Sequence, residues 1–184
     1  MSLERIREEY LDLNLNPNPN CGITVGLVKE NSYKDWKVSM IGPKDTSYKG
    51  GLFILNVSFP DNYPNEPPEV NFLTPIYHLN INPKASKNEE NKFNKLGYIS
   101  ISSLTWWNPK YKIKEILYNI YSLFYFANPN NAYGIERAKE YNDYREWYEE
   151  KVKYFTKKYA GTHNDLNKEM KYDRTQDWDF NLEI

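Results

Sequence analysis

Between Gly50 and Phe59 the chain keeps a two-residue rhythm: Phe53, Leu55, Val57 and Phe59 fall on one face, with Ile54, Asn56 and Ser58 between them. That alternation predicts a strand with one face in a core. The same rhythm sets Trp36, Val38 and Met40 against Lys37, Ser39 and Ile41, predicting a strand over 35–41. Residues 21–29 and 69–74 supply two more, the last with Val70 and Phe72 inward, and the polar run 30–35 reads as a hairpin turn. Pro60, Pro64, Pro67 and Pro68 crowd the link between the third and fourth strands. Each lacks an N–H and fixes its own φ, so the link is expected to be a stiff, extended connector in an antiparallel meander.

Outside the meander the period becomes helical. Residues 3–15 place Leu3, Ile6, Tyr10 and Leu13 on one face and charges on the other, and the Asn-Pro repeats that follow stop the helix. Residues 112–126 carry Ile113, Ile116, Leu117, Ile120, Leu123 and Phe124 on a face fit to cover a sheet; Tyr118, Tyr121 and Tyr125 read as packing. Two further helices are expected near 133–141 and over 143–159. The whole predicts an α/β (α+β) fold: a four-stranded antiparallel meander flanked by an N-terminal helix and backed by one central and two C-terminal helices.

The 184 residues suit one domain, assigned to 1–160, with a polar insertion at 83–96 and a C-terminal tail over 161–184 that has an acidic excess and no sustained period. The tail reads as mobile, with Trp178 and Phe180 able to dock weakly. The insertion reads as a solvated loop or as a flap governing what docks beside it. A formal charge of −1 leaves no electrostatic footprint for nucleic acid or an anionic membrane. No long apolar run suggests a membrane span or a signal peptide, so the expected location is cytoplasmic or nuclear. The single cysteine, Cys21, excludes an internal disulfide and a cysteine-based zinc site; with no basic residue or histidine beside it, it reads as an inert thiol. The seventeen tyrosines are a bias spread over core and surface alike.

One stretch is far more specific than these patterns. GPKDTSYKGGLFILNVSFPDNYPNEPPEVNFLTPIYHLNIN, beginning at Gly42, resembles the central signature of the ubiquitin-conjugating enzyme family nearly position for position, and TKKYA at Thr156–Ala160 is another landmark of that family. The resemblance implies the UBC fold and a role in conjugating ubiquitin or a ubiquitin-like protein, with no cofactor and no metal. It aligns GYISISSL at Gly97–Leu104 with the segment bearing the reactive cysteine, which puts Ser100 at that position, and it matches the WxP landmark to Trp107, Asn108 and Pro109. It also implies that Asn80 stabilises an oxyanion or holds the loop, that His78 braces the loop, and that Asn131 stands where the family often has an acidic residue. Ligase contacts map to Pro64, Asn65, Asn108 and Pro109. Activating-enzyme contacts map to Arg5 and Arg7 on the first helix, whose positive face Glu4, Glu8 and Glu9 dilute; the plainer reading of that helix is simple packing at the domain edge.

Family members carry ubiquitin on a thiol, which is partly ionised near neutral pH and leaves readily. A serine hydroxyl does neither without an adjacent base, and no acid-base-nucleophile chain is evident, so a serine hydrolase is set aside. Leu79 replaces the proline of the family's HPN, which removes a φ constraint and is expected to loosen the loop. Asn131 accepts no proton at neutral pH. Ser100, Leu79, Asn131 and the insertion together favour a non-catalytic variant or adaptor that keeps the fold to bind ubiquitin, a ligase or an active conjugating enzyme. The alternative is a conjugating enzyme carrying a Cys-to-Ser substitution at position 100. Whether the chain is an enzyme stays open at this level.

Overall fold

The computed structural model describes residues 2–83 and 95–161. The readings of the insertion between them, and of the tail, lie outside the described residues. Four strands, β1 (Ile23–Lys29), β2 (Ser32–Ile41), β3 (Leu52–Ser58) and β4 (Glu69–Phe72), form one antiparallel sheet in sequence order. The register pairs Val38 with both Val25 and Leu55, and Val57 with Val70. One face of the sheet therefore carries the apolar rows Trp36, Val38, Met40 and Phe53, Leu55, Val57, all fully buried. The helices are α1 (Ser2–Leu15), the short α2 (Ser102–Thr105), α3 (Ile113–Ser122), α4 (Ile135–Asp143) and α5 (Arg145–Tyr159). Ile113, Ile116, Leu117 and Ile120 of α3 are buried against the core, as their spacing predicts.

Several expectations are corrected. The β1–β2 turn shrinks to Glu30 and Asn31, because Asn31 takes a φ of 63° and so closes a two-residue hairpin without a glycine. The proline-rich link is not extended throughout. Tyr63 N–H donates to Pro60 O and Asn65 N–H to Asn62 O, so 61–66 folds into a turn that drives Tyr63 into the core. Helix α3 stops at Ser122, where bonds from Leu123 N–H to Ile120 O and from Tyr125 N–H to Ser122 O tighten its end, leaving Tyr125 and Phe126 exposed. Helix α4 begins two residues late, because Tyr133 N–H is bonded to Leu79 O and Gly134 takes a φ of 92°. Helix α2 was not anticipated.

The buried stripe of α1 is Ile6, Glu9 and Leu13, with Leu3 exposed. Glu9 is a charged residue on an apolar face because three donors meet it. Arg5 Nε at 2.8 Å and Tyr63 Oη at 2.9 Å bond one carboxylate oxygen, and Ile113 N–H at 2.7 Å bonds the other. The last contact supplies one of the unpaired N–H groups at the start of α3 with an anionic acceptor. One carboxylate thus joins α1, the 61–66 turn and α3. Replacing Glu9 by Leu strands the Tyr63 hydroxyl and the Ile113 N–H in the core, and chemical denaturation is expected to show a loss of about 2–4 kcal/mol. A change within about 0.5 kcal/mol contradicts this role.

Candidate functional site

Beyond β4 the chain enters a segment, Ile76 to Asn82, that is buried throughout yet belongs to no helix or strand. Its backbone polar groups therefore need partners from elsewhere. Tyr48 Oη donates to Tyr77 O at 3.0 Å, and Leu79 N–H donates to Tyr148 Oη at 3.0 Å. Leu79 O accepts from Tyr133 N–H at 2.7 Å, and Asn80 O accepts from Ser100 N–H at 2.8 Å. Arg137 of α4 reaches His78 O at 3.3 Å and lies over the Tyr77 ring. The Tyr77 hydroxyl donates to Glu140 at 2.6 Å, and Lys151 of α5 holds the other oxygen of that carboxylate at 2.7 Å. Helices α4 and α5 latch the loop by polar side chains as well as by packing.

The two polar side chains of the loop are turned inward. His78 Nε2–H donates to Leu123 O at 3.1 Å while Nδ1 accepts from Asn80 N–H at 3.0 Å, which assigns the neutral Nε2–H tautomer. Burial drives its pKa down to about 4. Asn80, fully buried, spends both amide hydrogens, on Asn128 O at 2.7 Å and Asn131 O at 3.0 Å, while its Oδ1 accepts from Asn128 N–H at 2.8 Å. Leu79 is not a loosened position. It is fully buried, and its N–H, which a proline would lack, is tied to Tyr148, whose own hydroxyl burial pushes up to about 12.

Ser100 stands opposite Asn80 on a short antiparallel ladder. Ile81 bridges Ile99, Asn82 N–H donates to Tyr98 O at 2.8 Å, and Gly97 N–H donates to Asn82 O at 2.9 Å. Gly97 is needed there, since at its φ of 74° a Cβ would fall 2.1 Å from Phe72 O. The described ends of the insertion, Pro83 and Lys95, lie at the other end of the ladder from Ser100. Ser100 itself is half-buried, just before α2. Asn131 closes a 3₁₀ turn over Pro129–Asn131 and meets the site through its backbone carbonyl. Ser100, His78, Asn80 and Asn131 are thus brought together.

A second group gathers on a different surface. Trp107 Nε1–H donates to Pro64 O at 2.7 Å, joining the 61–66 turn to the 106–111 loop; Asn65, Asn108 and Pro109 are exposed beside this link. Arg5 reaches the same surface, bonded to Tyr111 O at 2.9 Å as well as to Glu9, so much of its donor capacity serves the fold. Arg7 is exposed and paired with Glu4 at 3.4 Å. Cys21 is partly buried, which raises its thiol pKa. Among the described residues no group of three His, Cys, Asp or Glu side chains could hold a metal ion, and no helix is long and apolar enough to cross a membrane.

Sequence reasoning missed Glu9, Tyr48, Arg137, Tyr148 and Tyr133. Glu9 carried a readable signal, an acid in register with Ile6 and Leu13 on the apolar stripe. The others meet the loop only through tertiary contacts.

The histidine gives a pH test. Its folded pKa lies below the ordinary 6.5, so the unfolded chain binds the proton first and the neutral ring's contribution is complete only above about pH 6.5. As pH falls from about 6.5 to about 4 that contribution is lost at up to about 1.4 kcal/mol per pH unit, and below both pKa values it changes no further. Denaturation of the chain and of its His78→Gln variant across this range is expected to differ by such a slope. Parallel curves contradict the buried neutral imidazole.

The family model described as ubiquitin-conjugating enzyme matches residues 5–156, which takes in the sheet, the His78–Asn80 loop, Ser100 and most of α5. The chain belongs to the ubiquitin-conjugating enzyme family and has its UBC fold.

Proposed function

We propose that this protein acts in ubiquitin or ubiquitin-like protein conjugation as a non-catalytic member of its family, with residues 1–160 as the UBC unit and Ser100 in the place of the acyl-carrying cysteine. One observation carries the reading: both side chains that could assist an oxygen nucleophile are already engaged. The ring nitrogens of His78 are taken by Leu123 O and Asn80 N–H, so the ring offers Ser100 no free base. The amide hydrogens of Asn80 are taken by two backbone carbonyls, so none points at a developing oxyanion. Asn80 and His78 then act as loop holders, and Asn131 contributes a carbonyl and no acid-base chemistry. A hydroxyl left to itself is scarcely ionised at neutral pH and forms an ester that amines attack slowly. What remains is binding: ubiquitin or a related modifier, an active conjugating enzyme, or a ligase at the surface built by Pro64, Asn65, Asn108 and Pro109.

A second reading, an active enzyme whose cysteine is replaced at position 100, is favoured by the hydrogen bonds that hold Leu79 and Asn80 in place, which a decayed site has no need to keep. The two separate in one experiment. Incubated with activating enzyme, ubiquitin and ATP, the Ser100→Cys variant is expected to give no reductant-sensitive adduct above that of the unaltered chain. An adduct that forms and discharges to a lysine amine overturns the non-catalytic reading in favour of the second.

Ligase choice follows from the exposed link between the two loops. Asn65 offers a partner groove no large apolar anchor, although the carbonyl of Pro64 beside it is held rigidly by Trp107. Large buried side chains dominate such interfaces. Asn65→Phe is expected to tighten binding to a RING-type ligase domain by about tenfold in a calorimetric titration, roughly 1.4 kcal/mol. An unchanged affinity counts against docking at this position.

A further inference from the structure

Gly161, where the described chain ends, lines a groove of about 750 Å³ between the 45–50 turn, the end of α3 and one face of α5. The floor is apolar, formed by Leu123, Phe124, Ala127 and the ring of Tyr48. Three lysines, Lys49, Lys153 and Lys157, also line it. Lys153 is paired with Glu150 at 2.7 Å, and the lining pair Arg145–Glu149 neutralises itself at 2.7 Å. Lys49 and Lys157 make no ion pair among the described residues; the lining carboxylate of Asp45 offsets one of them, and the groove keeps a positive excess.

The chain that continues from this rim has the complementary chemistry. Residues 162–184 hold six acidic and three basic side chains. The final eight read DWDFNLEI, in which Trp178, Phe180, Leu182 and Ile184 alternate with Asp177, Asp179, Asn181 and Glu183. In extended form that alternation sets four apolar side chains on one edge and three carboxylates on the other. Residues 162–176 can span up to about 50 Å, against about 22 Å for the length of α5, so the connection permits the final eight to lie anywhere along the groove.

We propose that residues 177–184 dock in this groove of their own chain, with Trp178 and Phe180 on the Leu123–Ala127 floor and the acidic edge facing Lys49, Lys153 and Lys157. Tethering supplies an effective concentration in the millimolar range, so a contact of modest intrinsic strength is enough to fill the groove. The groove lining includes His78 and Tyr148, two of the groups that hold the buried loop. The proposal is independent of whether Ser100 or a thiol stands at the reactive position.

The test uses the full chain labelled with ¹⁵N. Replacing Trp178 and Phe180 together by Ala is expected to shift the backbone amides of Lys49, Ala127, Lys153 and Lys157 and to leave those of β1 and β2 in place. In the otherwise unaltered chain, Lys49→Glu with Lys157→Glu is expected to remove the solvent protection of the Trp178 indole N–H, and added salt to weaken it in a graded way. Groove amides that do not respond to the double alanine change overturn the proposal. Responses that fade on about tenfold dilution also overturn it, because they place the segment in a second copy of the chain.

Discussion

The structure depends on the requirement that a buried backbone find hydrogen-bond partners. The 77–80 loop lies in the interior outside the main sheet, and each of its polar groups left bare would cost about 1–3 kcal/mol. The chain meets this with groups drawn from far along it: Tyr48 before the loop, Tyr133, Arg137 and Tyr148 after it, and the Ser100 N–H across the ladder. Helices α4 and α5 are therefore more than a cover on the sheet. They carry the donors and acceptors that hold this loop in one conformation.

That same saturation limits the chemistry. A side chain that satisfies the interior is unavailable to a substrate, and His78 and Asn80 are both spent on backbone atoms. Burial lowers the imidazole pKa and so removes its value as a base near neutrality. Glu9 repeats the logic away from the loop in sequence, where one carboxylate gathers a tyrosine hydroxyl, a guanidinium and a helix N-terminus. Around it stand the 61–66 turn and the Trp107 link, so the face proposed for ligases is shaped by a buried charge rather than by its own exposed residues.

Much of the sheet was legible because period-2 patterning reports burial directly: Trp36, Val38 and Met40 are inward as their alternation requires. Helix α3 was legible for the same reason, at a different period. The turn over 61–66 was not, because four prolines exclude helix and central strand without distinguishing an extended chain from a turn, and the choice falls to Tyr63 finding Glu9. The grouping of His78, Asn80, Ser100 and Asn131 was legible only through a family resemblance. Their engagement was not, since nothing local to Asn80 reveals that its amide meets carbonyls some fifty positions downstream. Leu79 shows the converse: a missing proline reads as lost rigidity until the Tyr148 hydroxyl is placed on its N–H.

The most direct check of this account is the ¹⁵N spectrum of the His78 ring, one of only two histidines in the chain, followed from pH 5 to 8 in the unaltered protein and in Ser100→Ala. The account predicts a neutral Nε2–H ring with Nδ1 as acceptor, no titration midpoint in that range, and the same resonances in both proteins. A ring that titrates near pH 6.5 and shifts when the Ser100 hydroxyl is removed would show the histidine serving Ser100 and not the loop, and would contradict it.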